Sequence, residues 1–339
     1  MMRFGIFGGP RAKANVSATQ KTSGYADFVD YILEAEQMGF VSAFVVEHHF
    51  SGLGQVSSTL ELLAYLAGRT SKVRLGTAVT VLPWHNPVLL AEQIATLDVL
   101  SGGRVDLGIG RGYRPNEFHG FCIDPAEAEA RFEECLAIML ECWTSSEPFS
   151  YRGRYWSFQD IAIEPPGQQQ PHVPIWIGAG SEASVRSAGA RRFRLLLDQF
   201  GDLEQTRNRI EWYRSGIRDG DGVDDSGEVA LTRALMILFD DESREQLDDE
   251  YERRIAGIKL IRERSQIPGA QRPLTAADHA FFNEAREATE AAVIGGSPKE
   301  CIDRLKDFEG TGVDLVLLND PLLRTDRLRL FADKVMTEF

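Results

Sequence analysis

The chain has 339 residues, is 43% hydrophobic and carries a formal net charge of −14. This length holds a large core, divided between two domains or gathered in one α/β barrel. The acid excess and the lack of a Lys/Arg cluster exclude a basic nucleic-acid face, and no apolar run reaches membrane-spanning length.

No signal peptide is read at the start, because Met1 to Phe7 leads straight into a strand, Phe4 to Phe7, ended by Gly8-Gly9-Pro10. Residues 11–23 are polar and small and read as a loop. Tyr25 to Met38 places Phe28, Ile32, Leu33 and Ala35 between acids, an amphipathic helix closed by Gly39. Phe40 to Val46 reads as a strand buried on both faces, and it stops at Glu47-His48-His49. A Gly/Ser-rich loop, a helix over Leu60 to Ala67, a third strand over Val73 to Leu82, a break at Pro83 to Pro87, a helix over Val88 to Leu100 and a fourth strand over Val105 to Ile109 follow.

Four strand–helix alternations with short connections predict a parallel sheet. A long helix from Asp124-Pro125 to Trp143 then gives way to a hairpin insertion, about 148–165, turning at Arg152-Gly153. Strands over Ile175 to Ile177, Leu195 to Leu197, Val229 to Phe239 and Val313 to Leu318, with helices between them, bring the count to eight. The acids from Asp240 to Glu250 read as a solvated helix start. Residues about 262–292 are too long for a simple connection and predict a mobile or lid-like insertion. The expected fold is α/β, a (β/α)8 TIM barrel in a single domain over residues 1–339, with insertions after strands 4 and 7.

Parallel barrels keep their chemistry at the carboxyl ends of the strands. There stand Gly8-Gly9, Glu47-His48-His49, Thr80 to His85, Gly108-Ile-Gly-Arg111-Gly-Tyr113 and Gly178-Ala-Gly180-Ser181-Glu-Ala-Ser184. Gly180 lets backbone approach a ligand, Ser181 begins a helix, and a helix N-terminus suits phosphate. Arg111, on the neighbouring strand end, supplies the countercharge. Trp84, Tyr113, Phe118, Phe121 and Phe200 are candidates to wall an apolar pocket. The histidines are not at ligand spacing, and Cys122, Cys135, Cys142 and Cys301 form no C-x-x-C pair, so no metal is expected and reduced thiols in a cytoplasmic setting are the default.

Ala43-Phe-Val-Val-Glu-His-His-Phe, Leu75-Gly-Thr-Ala-Val-Thr-Val-Leu-Pro, Asp98 to Arg104, Leu107-Gly-Ile-Gly-Arg-Gly-Tyr, Pro174 to Ser184 and Ile294-Gly-Gly-Ser-Pro-Lys-Glu-Cys-Ile occur in the order and spacing of the bacterial luciferase-like monooxygenases. The chain resembles that family over nearly its whole length. The resemblance implies a two-component monooxygenase that takes reduced FMN from a separate NAD(P)H:flavin reductase and uses O2 to oxygenate a small apolar or carbonyl-containing organic substrate through a flavin hydroperoxide. It implies His48 as the catalytic imidazole and Glu47 as a carboxylate near the flavin. It implies a non-prolyl cis peptide at Ala78-Val79 under the flavin ring, and phosphate contacts from Arg111, Tyr113, Gly180, Ser181, Ser184 and, across a gap, Arg131. Gly110 stands at the position of luciferase's reactive cysteine, and Gly180 at that of an acid. A homodimer, through the helices at 60–69 and 88–100, is the family's common pairing. The other readings of the same barrel are a deazaflavin-dependent hydride-transfer oxidoreductase, against which Glu-His-His-Phe speaks, and a non-catalytic flavin-binding partner subunit, against which the retained His48, Arg111 and serine pair speak.

Overall fold

Each short apolar run followed by an amphipathic helix forms a strand covered by that helix. The computed structural model describes residues 1–10, 18–53, 55–220, 227–240, 242–267 and 285–339. Eight parallel strands close on themselves: β1 (Arg3–Gly8), β2 (Ser42–Val45), β3 (Arg74–Thr77) with its continuation β4 (Thr80–Val81), β5 (Val105–Gly110), β8 (Ile175–Gly178), β9 (Arg194–Leu197), β10 (Val229–Ile237) and β12 (Leu315–Asn319). Closure comes from β10, which pairs with β9 through Val229 to Leu231 and with β12 through Ala230 to Ala234. The expected (β/α)8 TIM barrel is present. The hairpin of β6 (Phe149–Arg152) and β7 (Ser157–Ile161) lies after the fourth barrel strand, with Gly153 and Trp156 closing its turn.

The helices are α1 (Ala18–Gln37), α2 (Thr59–Ala67), α3 (Pro87–Ser101), α4 (Pro115–Gly120), α5 (Ala128–Thr144), α6 (Glu182–Ala190), α7 (Leu203–Gly220), α8 (Arg244–Arg264), α9 (Ala285–Ala291), α10 (Pro298–Glu309) and α11 (Thr325–Lys334). No helix among the described residues is long and apolar enough to cross a membrane. Most of the core lies between the outside of the barrel and these helices. Cys135, Cys142 and Cys301 are buried within it as free thiols.

Four expectations are corrected. Residues 18–23, read as loop from their polarity, belong to α1, whose apolar stripe further on carries the helix; residues 11–17 lie outside the described residues. The third strand is interrupted, since Ala78 and Val79 separate β3 from β4 and Leu82–Trp84 turn into a 3-10 helix. A ninth parallel strand, β11 (Val293–Gly296), extends the sheet on the upper half of β10. Glu250 is not solvated: it is 6% exposed and ion-paired with Arg324 and Arg327, each of which also holds a second carboxylate, Asp320 and Glu242 respectively. Of the expected lid-like insertion, residues 268–284 lie outside the described residues.

Inside the barrel the side chains stack in layers. At the amino end Asp106, 2% exposed, joins Arg74 at 2.6 Å and Arg194 at 3.4 Å, and Arg194 continues to Glu228 at 3.0 Å. Above this floor Phe44 and Trp176 meet edge to face, 5.6 Å apart, packed with Leu196, Ala230, Leu315 and Leu317. Asp106→Ala leaves two guanidinium groups facing each other. Breaking a buried pair costs about 3–5 kcal/mol. Arg74 and Arg194 are about a third exposed, so water screens part of that loss and about 2–3 kcal/mol is expected. A fall in the urea midpoint at unchanged slope is the measurement.

Candidate active site

The strand β2 stops at Val45, and the three residues after Val46 turn inward over the mouth. Glu47 is 3% exposed. Its Oε1 accepts from His49 Nε2 at 3.2 Å and from His85 Nε2 at 3.1 Å, and its Oε2 lies 3.2 Å from the same His85 nitrogen. Burial alone raises a carboxyl; here the two imidazole bonds outweigh it and hold Glu47 below its ordinary value.

His48 takes a different partner. Its Nδ1 lies 3.2 Å from Glu117 Oε1, which also accepts the His49 amide at 3.0 Å. Glu117 is 1% exposed and sits on α4, a single turn and a half begun by Pro115 at its first position. Asn116 on the same helix donates to the His49 carbonyl at 3.2 Å, so the His49 peptide is gripped from both sides. Burial, and behind it the neighbouring Arg114, hold His48 below the usual imidazole value despite the opposing Glu117 bond. The ring is therefore neutral near pH 7. A carboxylate accepts only, so the proton sits on Nδ1 and Nε2 is left as an acceptor. The site thus divides two adjacent histidines between two carboxylates.

Beside them the peptide between Ala78 and Val79 is cis. Val79 rests on glycines: a Cβ at Gly110 would stand 2.5 Å from Val79 Cγ2, and one at Gly178 would stand 3.1 Å from Cγ1. Small residues on two neighbouring strands thereby raise an apolar, partly exposed platform at the top of the barrel filling, next to Phe7 and Trp176. Among the buried side-chain atoms without a hydrogen-bond partner among the described residues are Thr80 Oγ1, Trp84 Nε1, Asn116 Oδ1 and Trp176 Nε1. Buried polar atoms of this kind are costly unless a ligand satisfies them. The face of a flat heterocycle fits the apolar platform. Trp84 stacks on Phe121 at 5.2 Å and meets Phe118 edge to face at 4.8 Å, and Phe121 meets His49 at 4.9 Å. The other aromatic candidates are exposed, Tyr113 at 74% and Phe200 at 45%.

Of the expected phosphate contacts, Arg111 and Tyr113 follow β5 and Gly180, Ser181 and Ser184 follow the neighbouring β8, while Arg131 is on α5. Ser181 caps α6, accepting from Ser184 N at 3.3 Å, and the two hydroxyls lie 2.8 Å apart. Arg111 is half exposed and pairs with Glu129. Arg131 pairs with Glu127 at 2.9 Å and lies over the Tyr155 ring. Gly180 neighbours a cation that the sequence reading did not single out: a Cβ there would stand 3.6 Å from Arg209 Nη2, and Arg209 is bound to Asp198 at 3.1 Å.

Glu117, Arg114 and His85 were also missed as members of the site. The Arg-Pro-Asn-Glu run after the fourth strand carried the signal of a helix start, but nothing local says that its carboxylate reaches back to His48. Two surface cavities lie elsewhere, on the flanks of the barrel. One, of about 350 Å³, is lined by Cys142, Trp143, Phe149 and His172. The other, of about 500 Å³, lies between α1 and α2 at Tyr25, Val29, Glu61 and Tyr65. None of the strand-end groups lines either hollow. Among the described residues no group of three or more His, Cys, Asp or Glu is arranged to hold a metal ion.

The family model described as luciferase-like monooxygenase matches residues 2–315. The oxygenase component of flavin-dependent trigonelline monooxygenase from Acinetobacter baylyi is 28% identical over 324 residues, 92% of this chain and 87% of that protein. Uncharacterized protein y4vJ of Sinorhizobium fredii is 40% identical over 178 residues, 52% of this chain and 50% of that protein, so the match spans about half of its length. The crystal structure of monooxygenase RslO1 from Streptomyces bottropensis superposes with a TM-score of 0.82 at 25% identity, covering 99% of both chains. F420-dependent glucose-6-phosphate dehydrogenase of Amycolatopsis mediterranei is 23% identical over 333 residues, 96% of this chain and 97% of that protein. Monooxygenases and F420-dependent dehydrogenases thus both stand among its relatives.

The lowered His48 value fixes the sign of a stability effect. As pH falls below the ordinary imidazole value of about 6.5, the unfolded chain binds a proton before the folded one does. The stability from His48 is complete above that pH and is lost downward until the folded value is passed, at up to about 1.4 kcal/mol per pH unit. Denaturant midpoints of His48→Gln measured across this window are expected to show a shallower slope than wild type.

Proposed function

The chain belongs to the luciferase-like monooxygenase family, and from that premise we propose that it is the oxygenase of a two-component system. It would use reduced FMN from a separate NAD(P)H:flavin reductase, with O2, to oxygenate a small apolar or carbonyl-containing organic substrate. The observation that carries this reading is the neutral His48, held by Glu117 with Nε2 as an acceptor, beside the Val79 platform. The likeness to a trigonelline monooxygenase component over most of both chains supports it.

Reduced FMN, when bound, supplies the electrons that activate oxygen. The protein's own tasks are to hold, to dry and to move a proton. Ala78 and Val79 would support the ring. The α6 N-terminus with Gly180, Ser181 and Ser184, together with Arg111, Tyr113 and Arg131, would hold the phosphate. His48 Nε2 accepts a proton from the substrate or returns one to the departing oxygen, and Glu117 steadies the imidazolium that forms. Glu47 stays ionised and keeps His49 and His85 in place. Trp84, Phe118 and Phe121 exclude water on one side. The C-terminal end of α8 reaches this rim, where Ser265 O accepts from the Asn116 backbone amide at 3.1 Å. Exposed Tyr65, Leu89 and Leu100 on α2 and α3 support a homodimer.

The second reading is hydride transfer with reduced F420, favoured by the dehydrogenase relative that matches nearly the whole chain. Anaerobic titration separates the two. Reduced FMN is expected to bind at least about tenfold more tightly than reduced F420, a difference of about 1.4 kcal/mol; the reverse order replaces the oxygenase reading by the dehydrogenase one. In single turnovers with O2 and a substrate found by screening, His48→Ala is expected to keep reduced-FMN binding and lower oxygenated product by about 10²-fold. Unchanged turnover removes His48 from the reaction.

A further inference from the structure

Three arginines are buried among the described residues: Arg114, Arg233 and Arg327. Two of them have several partners, although Arg233 Nε and Arg327 Nη1 are buried without one among the described residues. Arg233 donates to the carbonyls of Asp198, Thr232 and Gly201 and to the Thr206 hydroxyl. Arg327 pairs with Glu242 at 2.7 Å and Glu250 at 2.8 Å. Arg114, 3% exposed, is held differently. Its Nη1 donates to Gln55 Oε1 at 3.0 Å, and its Nε makes a long contact of 3.4 Å with the Tyr113 hydroxyl. Glu117 Oε1 lies 3.9 Å from Nη1, close enough to offset charge and too far to take a hydrogen bond. No hydrogen bond to Arg114 Nη2 occurs among the described residues.

Removing a guanidinium from water costs several kcal/mol unless acceptors replace the water, and its planar fork is shaped for the two oxygens of a carboxylate. Arg114, whose unbonded Nη2 is not closed off from solvent, lies at the site proposed for the chemistry. The Glu117 oxygen that it faces is the one bound to His48 Nδ1. From the same rim Trp84 offers a second buried donor, Nε1, without a partner, on a wall built with Phe118 and Phe121.

We propose that Arg114 binds an anionic oxygen of the substrate, carboxylate or phenolate, carried on a flat apolar body that packs against Trp84, Phe118 and Phe121. This deepens the reading of the site as the place of substrate oxygenation and rests on it. Anchored there, the substrate lies beside His48, and a neutral analogue leaves the guanidinium unpaid for its lost water. Specificity for the charged form follows from that penalty.

The test is a calorimetric titration of the purified, flavin-free chain with benzoate as probe. Benzamide serves as the neutral isostere, and inorganic phosphate as an anion without the flat body. Wild type is expected to bind benzoate saturably and at least about tenfold more tightly than either control, the worth of one charged hydrogen bond. Arg114→Met is expected to bring benzoate and benzamide within about twofold of each other, and Arg114→Lys to keep part of the preference. Circular dichroism checks that each variant is folded, and Arg114→Gln takes the place of Arg114→Met if that one is not. Absent benzoate binding, equal binding of benzoate and benzamide by wild type, phosphate as tight as benzoate, or an undiminished preference in the folded variant overturns the proposal. Because no flavin is present, these outcomes are independent of whether FMN or F420 is the cofactor.

Discussion

The site depends on ring closure of the sheet. With β10 bonded to β9 on one side and to β12 on the other, every parallel strand delivers its carboxyl end to one rim. Groups as distant in sequence as Glu47, His85 and Glu117 meet there because β2, β3 and β5 are consecutive staves. The Asp106 floor seals the other end, and the Phe44–Trp176 layer fills the middle. What remains open to a ligand is the top, and its level is set by Val79 standing on glycine.

At that rim the two adjacent carboxylate–imidazole assemblies are electrically different. Glu47 is shared by two rings and is kept charged by them, so it acts as a fixed negative centre. Glu117 serves one ring and one amide, with a cation behind it, and the ring it serves is neutral. The second arrangement leaves His48 with Nε2 as an acceptor. Position along the chain separates the two roles by a single residue, since neighbouring side chains on an extended segment diverge.

Much of this was legible in the sequence. All eight barrel strands were apolar runs of three or more residues between turn signals, and their physics is local. Glu47-His48-His49 stood out because charge follows directly on a buried strand. The elements that escaped are those decided by tertiary contact. The start of α1 is polar. The strand β11 is short and exists because the upper half of β10 offers it an edge. Glu250 looked like surface because nothing near it in sequence shows Arg324 and Arg327 waiting. Glu117, Arg114 and Arg209 escaped for the same reason: a side chain on one loop finds its partner on another stave, and a single sequence carries no record of that distance.

The bond from the Asn116 amide to the Ser265 carbonyl ties the end of α8 to α4. The next residue on α4 is Glu117, the anchor of His48. The tail of α8 therefore cannot lift from the rim unless this bond breaks or α4 follows it. The end of α8 and the anchor of His48 are thus tied through one backbone bond, so a displacement that drags this bond would be felt by the imidazole. Under the role proposed for His48, a loosened α8 tail would disturb proton handling through α4 rather than by direct contact.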